Sequence, residues 1–238
     1  MDVDSGLRLM AACYGAGALS SLLARWSGRL ALGAGHLAAL AGAVAGVGVS
    51  LGVLLGEPGR TLTLPLPDLF PFARLSLSVD GLSAYFLLVI SLVAIAAAIY
   101  GPAYLRAHSP DAGPARQAAQ VLALNVFLGC MAFVCCAGDA LTFLLCWEGM
   151  TLASYVLVVS DNRDGENVRA GLLYMVMAHG GTALLLVAFL ALTERAGAFD
   201  FAALRAAAGE LDGTTRTALF FLALGGFATK AGVVPLHV

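Results

Sequence analysis

The chain has 238 residues, 60% of them hydrophobic and 12% charged, with 13 basic and 15 acidic side chains. Soluble domains carry about twice that share of charge, so these residues cannot clothe a water-facing surface. A formal net charge of −2 without any basic run excludes a nucleic-acid binder, and the apolar content excludes a disordered or fibrous chain. The class that remains is a polytopic membrane protein.

A spanning helix needs about 20 mainly apolar residues. Seven segments meet that need, at 7–24, 30–55, 82–105, 118–137, 140–160, 168–192 and 216–237. None alternates as an outer-membrane strand does, so the fold class is all-α, with seven transmembrane helices. Asp2 and Asp4 stand where a cleavable signal peptide would carry basic residues, so the first segment is expected to be retained.

Between the second and third segments, residues 61–64 and 75–79 alternate in polarity around Pro65, Pro67 and Pro71. That pattern predicts a hairpin-like lid over the helix ends. The third connection, with His108, Pro110, Gly113 and Pro114, is a polar linker. Asp139 begins the fifth segment, where the positive end of the helix dipole accounts for it. Residues 199–211 place Phe199, Leu204, Ala207 and Leu211 near one helical face, predicting a short interfacial helix.

Basic residues in the connections set the orientation. Arg25, Arg29, Arg106, Arg116, Arg163 and Arg169 fall on one side, and Arg60, Arg74, Arg195, Arg205 and Arg216 on the other. Weighting the early, short loops puts the first connection in the cytoplasm. The N-terminus is then extracytoplasmic and residue 238 cytoplasmic, in the inner or plasma membrane.

Cys13, Cys130, Cys135, Cys136 and Cys146 lie in apolar segments without metal-type spacing, and read as small buried hydrophobes. No nucleotide-binding glycine pattern follows a strand, and no cysteine spacing suits an iron–sulfur cluster, so no cofactor is expected in this chain.

An ionisable side chain at the bilayer centre costs about 2.5–3.5 kcal/mol on insertion scales, so each one demands an explanation: a relay role, or else a hydrogen-bonded structural carboxyl at Glu148 and a snorkelling lysine at Lys230. Glu148 lies about 9 residues into the fifth segment, roughly 13 Å deep. Thr151 and Tyr155 follow it at helical spacing, with Ser154 alongside, which favours a face turned into the bundle. Lys230 is the sole lysine, against twelve arginines, and lies in the seventh segment. A lysine can shed its proton when desolvated, whereas arginine stays charged. Gly225, Gly226, Gly232 and Pro235 bracket it and predict a broken helix of the kind that lines a cavity. His179 sits mid-segment beside Gly180, Gly181 and Thr182, and titrates in a range that suits a proton relay. A helix–helix hydrogen-bonding role is the alternative for it. His237 follows Pro235 at the cytoplasmic exit and could pass protons to solvent, while His36 reads as structural.

The run Trp147-Glu148-Gly149-Met150-Thr151-Leu152-Ala153-Ser154-Tyr155 resembles a known family, as does Lys230-Ala231-Gly232-Val233-Val234-Pro235-Leu236-His237. A third match is Ser78-Val79-Asp80-Gly81-Leu82-Ser83-Ala84-Tyr85-Phe86. The family is that of the antiporter-like, proton-conducting membrane subunits of respiratory complex I, membrane-bound hydrogenases and multisubunit sodium/proton antiporters. The stretch 167–179 leans towards the hydrogenase-4 component B and formate hydrogenlyase branch. The resemblance implies that Glu148 and Lys230 are a coupled proton-translocating pair, supported by Trp147, Thr151, Ser154, Tyr155, Gly232 and Pro235. It implies partners as well: other membrane subunits, a peripheral redox arm and the lipid bilayer. The transported ion would be the proton, with sodium as the alternative.

On that basis residues 1–80 would be two accessory helices and an extracytoplasmic hairpin. Residues 81–117 would be the third helix and its cytoplasmic linker, and 118–238 an incomplete conducting repeat. Family members carry a second, inverted repeat, so the chain is expected to be an N-terminal fragment. Two further readings remain, a sodium/proton antiporter subunit and a membrane scaffold without transport of its own.

Overall fold

A computed structural model of the protein describes residues 3–56, 62–65, 75–108, 112–160 and 165–234. Helix α1 (Val3–Leu19) runs into a 3-10 turn at Ser20–Arg25. The Ser27 hydroxyl then accepts the Leu30 amide at 3.4 Å and starts α2 (Gly28–Leu54). Buried Ala39, Ala43 and Gly46 on α2 let it pack closely on α1 and on α3 (Gly81–His108). Helix α4 (Pro114–Val134) closes this first bundle around Leu7, Met10, Tyr14, Leu87 and Leu128. Proline at the first helical position of α4 gives up an amide that would be unpaired there in any case.

Two short strands pair between α2 and α3, β1 (Leu62–Pro65) antiparallel to β2 (Ser76–Val79), with Leu62 opposite Val79. These occupy the alternating stretches of the sequence, while Pro67 and Pro71 lie outside the described residues. The fourth segment does not continue helical to residue 137. Its helix stops at Val134, the chain turns at Cys135 and Cys136, and Ala137 then bridges to Leu77 of β2, with the Ser78 amide donating to Cys136 O and the Gly138 amide to Ser76 O.

The second bundle consists of α5 (Ala140–Val159), α6 (Gly165–Ala196), the short α7 (Phe201–Gly209) and α8 (Gly213–Ala231). Helix α5 packs on α4 and α6, and α6 packs on α8. The expected interfacial helix is α7, which buries Leu204. Among the described residues six helices are long and apolar enough to cross a membrane, counting α1 with its 3-10 turn as one. The seventh segment does not join them. Helix α8 is 19 residues, includes Arg216 and Lys230, and ends at Gly232, whose φ of 66° is left-handed and suits only glycine without strain.

Asp139 does more than sit at a helix dipole. It is 1% exposed, and its carboxylate accepts from the Thr142 amide (2.7 Å), the Thr142 hydroxyl (2.6 Å) and the Ser76 amide (2.7 Å) and hydroxyl (3.0 Å). One side chain therefore caps α5 and ties the hairpin to it. Asp139→Ala removes the cap and strands buried donors, so a loss of about 2–4 kcal/mol is expected. A lowered Tm, with protease cutting first beside the hairpin, checks this. The neighbouring Asp80, outside the helix it precedes, accepts from the Ser83 amide at 2.8 Å. That bond holds its carboxyl below the usual range, so its contribution persists at neutral pH and is lost as pH falls through the depressed value.

Candidate functional site

Lys230 lies on the last turn of α8, and its side chain reaches α5. The ammonium donates to Thr151 Oγ1 at 2.5 Å and to Trp147 O at 3.3 Å, and it stands 4.7 Å from the centre of the Trp147 ring. The Thr151 hydroxyl donates in turn to Trp147 O at 3.0 Å. Residues 147 and 151 are one turn apart, so together they make a seat of a hydroxyl, a carbonyl and a π face.

Close approach of α6 and α8 makes that reach possible. A side chain at Gly181 would overlap the Thr229 hydroxyl, and a Cβ at Gly226 would stand 2.8 Å from Gly181 O. Small residues at a crossing let helix backbones come together in a membrane. Beside the crossing, Phe143, Trp147, Phe189 and Phe227 form edge-on and tilted aromatic contacts that close the bundle.

Glu148 follows Trp147 and therefore points about 100° around α5 from it. Its Oε2 lies 3.3 Å from His179 Nε2 on α6, while its Oε1 is buried without a partner. His179 Nδ1 lies 3.0 Å from Met175 O, so Nε2 accepts unless the ring is protonated. No direct ion pair joins Glu148 and Lys230 among the described residues. Glu148 pairs with His179, and Lys230 binds the residue before Glu148 and the residue three after it. Glu148 is 28% exposed and His179 47%.

His179, Glu148, Trp147, Thr151 and Lys230 thus form one cluster across three helices. Ser154 and Tyr155 lie outside it, the Tyr155 ring lying 3.4 Å from where a side chain at Gly171 would begin. Pro235 and His237 lie outside the described residues. His36 is buried in the first bundle, with Nδ1 2.8 Å from Leu32 O. Cys130, whose sulfur packs on Gly149 beside Glu148, is invisible to sequence reasoning, because a cysteine among apolar residues carries no positional signal. Of the five cysteines only Cys136 is fully buried.

The family described as NADH:quinone oxidoreductase/Mrp antiporter, TM, matches residues 137–238, which hold the whole cluster. Hydrogenase-4 component B of Escherichia coli (strain K12) is 34% identical over 219 residues, covering 92% of this chain and 31% of the relative. NADH-quinone oxidoreductase subunit L of Mycobacterium tuberculosis (strain ATCC 25618 / H37Rv) is 30% identical, covering 85% and 32%. The chain thus spans about a third of the length of these curated relatives. In fold it is similar to a chain of the membrane-bound sulfane sulfur reductase, an archaeal respiratory membrane complex (TM-score 0.81, 19% identity, 97% of this chain and 45% of that one). It is also similar to a chain of respiratory complex I from Thermus thermophilus (TM-score 0.70, 21% identity, 98% and 45%). The matched domain, the curated relatives and the shared fold agree: the chain is a multi-pass membrane protein belonging to the antiporter-like family of complex I and hydrogenase-type membrane subunits.

Proposed function

We propose that this chain is the proton-handling part of a translocating subunit in a hydrogenase-4 or complex I-like assembly. The observation that carries the reading is one turn of α5 that offers a carboxylate to His179 and a seat to Lys230. Partner membrane subunits and a peripheral redox arm would supply the driving reaction. The chain would lie in the plasma membrane with its N-terminus outside, and residues 118–238 would form an incomplete conducting repeat.

The cluster works by sharing Glu148. With its carboxylate turned towards Lys230, the ammonium is favoured and the lysine keeps its proton. With the carboxylate held by a protonated His179, the lysine loses that compensation and a proton can leave. Moving a unit charge from about 4 to about 8 Å at an effective dielectric of about 20 changes the interaction by about 2 kcal/mol, or roughly thirtyfold in proton affinity. A field change from a neighbouring subunit of that size is enough to move one proton.

The full-length protein within its complex, reconstituted in vesicles, tests the reading. Redox turnover should generate a pH gradient that a protonophore collapses and that persists in sodium-free buffer. A gradient that requires sodium would favour the antiporter reading, and redox turnover without any gradient would favour a scaffold.

A further inference from the structure

A second feature lies at the opposite end of the bundle from the hairpin, where α2 begins, α3 ends and α4 begins. There a cavity of about 560 Å³ opens between the three helices. Arg29 of α2 and Arg106 of α3 line it from different walls, with Gln117 and Gln120 of α4 also lining it. No carboxylate is among its lining residues, and neither arginine forms an ion pair among the described residues. Arg106 Nε donates to Pro102 O at 2.9 Å, which lays the side chain along the wall and leaves its terminal nitrogens for a ligand. Gln120 is buried, a polar side chain set into the wall.

The rest of the wall is largely apolar, with Leu32 and Leu105 set towards the membrane-spanning part of α2 and α3. Beyond it both helices present apolar surface outward, at Leu30, Leu37, Ile99 and Tyr100. A cationic rim at the end of three membrane helices, above an apolar wall, matches an amphiphile with an anionic head. Guanidinium groups bind phosphate oxygens in paired hydrogen bonds, and basic pockets between membrane helices take anionic headgroups.

We infer that this cavity binds the phosphate headgroup of an anionic phospholipid, held by Arg29 and Arg106, with an acyl chain along Leu32 and Leu105. The inference stands apart from proton handling, since the cavity shares no residue with the Glu148 cluster. Arg25, at the same end, stacks 4.7 Å from the Trp26 ring and lines no part of the cavity, so it serves as the control.

The test uses delipidated full-length protein in detergent, titrated with phosphatidylglycerol, phosphatidylcholine or inorganic phosphate and read by native mass spectrometry and thermal unfolding. Phosphatidylglycerol should bind and raise the Tm more than phosphatidylcholine. R29Q/R106Q should weaken phosphatidylglycerol binding about tenfold or more, while R25Q leaves it unchanged. Equal binding of the two lipids to the wild-type protein would overturn the inference, and that comparison holds even where the double variant fails to fold. Retained binding in a folded double variant, or occupancy by inorganic phosphate in place of lipid, would overturn it as well.

Discussion

Replacing Lys230 by arginine is expected to stop proton translocation as completely as replacing it by alanine. Arginine keeps the positive charge and could still sit over the Trp147 ring, so a purely structural role would be rescued. A proton carrier would not be, because guanidinium holds its proton at any working pH. The expected loss in vesicle acidification is about a hundredfold, with electron transfer through the partner subunits largely kept. Dye-reported acidification measured beside redox turnover on the same vesicles checks it, and substantial pumping by the arginine variant would count against a carrier role.

The second large effect concerns a residue with no chemistry. Gly226→Leu puts a branched side chain where Leu185 and Gly181 O already stand. Helix α8 must then move away from α6, carrying Lys230 off its seat on α5. Overpacking of this kind costs about 1–3 kcal/mol, so the protein should still fold with a lowered Tm. Proton movement should fall as far as in Lys230→Ala. Gly226→Ala adds only one carbon and should lie between the wild-type protein and Gly226→Leu, in both Tm and pumping.

Why some of this can be read in the sequence and some cannot has a physical basis. Length and hydropathy are properties of single segments, so α2, α3 and α5 are legible to within a few residues. The hairpin strands are legible for the same local reason, their period of two. Glu148 and Lys230 stand out because a charge within an apolar segment is costly and therefore informative. What bonds to what is not legible. The rotation of α5 against α6 and α8 decides that Glu148 meets His179 and that Lys230 meets Thr151, and no local pattern carries that rotation. The end of α4 escapes for a related reason: Cys135-Cys136-Ala137 is apolar enough to continue a helix, yet a turn at the two cysteines delivers Ala137 to a bridge with β2. Helix α8 falls short because Thr214, Thr215, Arg216 and Lys230 dilute its apolar run, and the left-handed backbone of Gly232 ends it before the seventh apolar segment does.

If His179 and Lys230 compete for the Glu148 carboxylate, Glu148 and His179 act as a unit, and a double-mutant cycle on proton translocation reads this. Glu148→Gln, His179→Gln and the double variant are compared in vesicles containing the full-length protein in its complex. If the two residues act as a unit, the double variant loses no more pumping than Glu148→Gln alone. Losses that multiply, each substitution acting as though the other were absent, would show that Glu148 and His179 act separately.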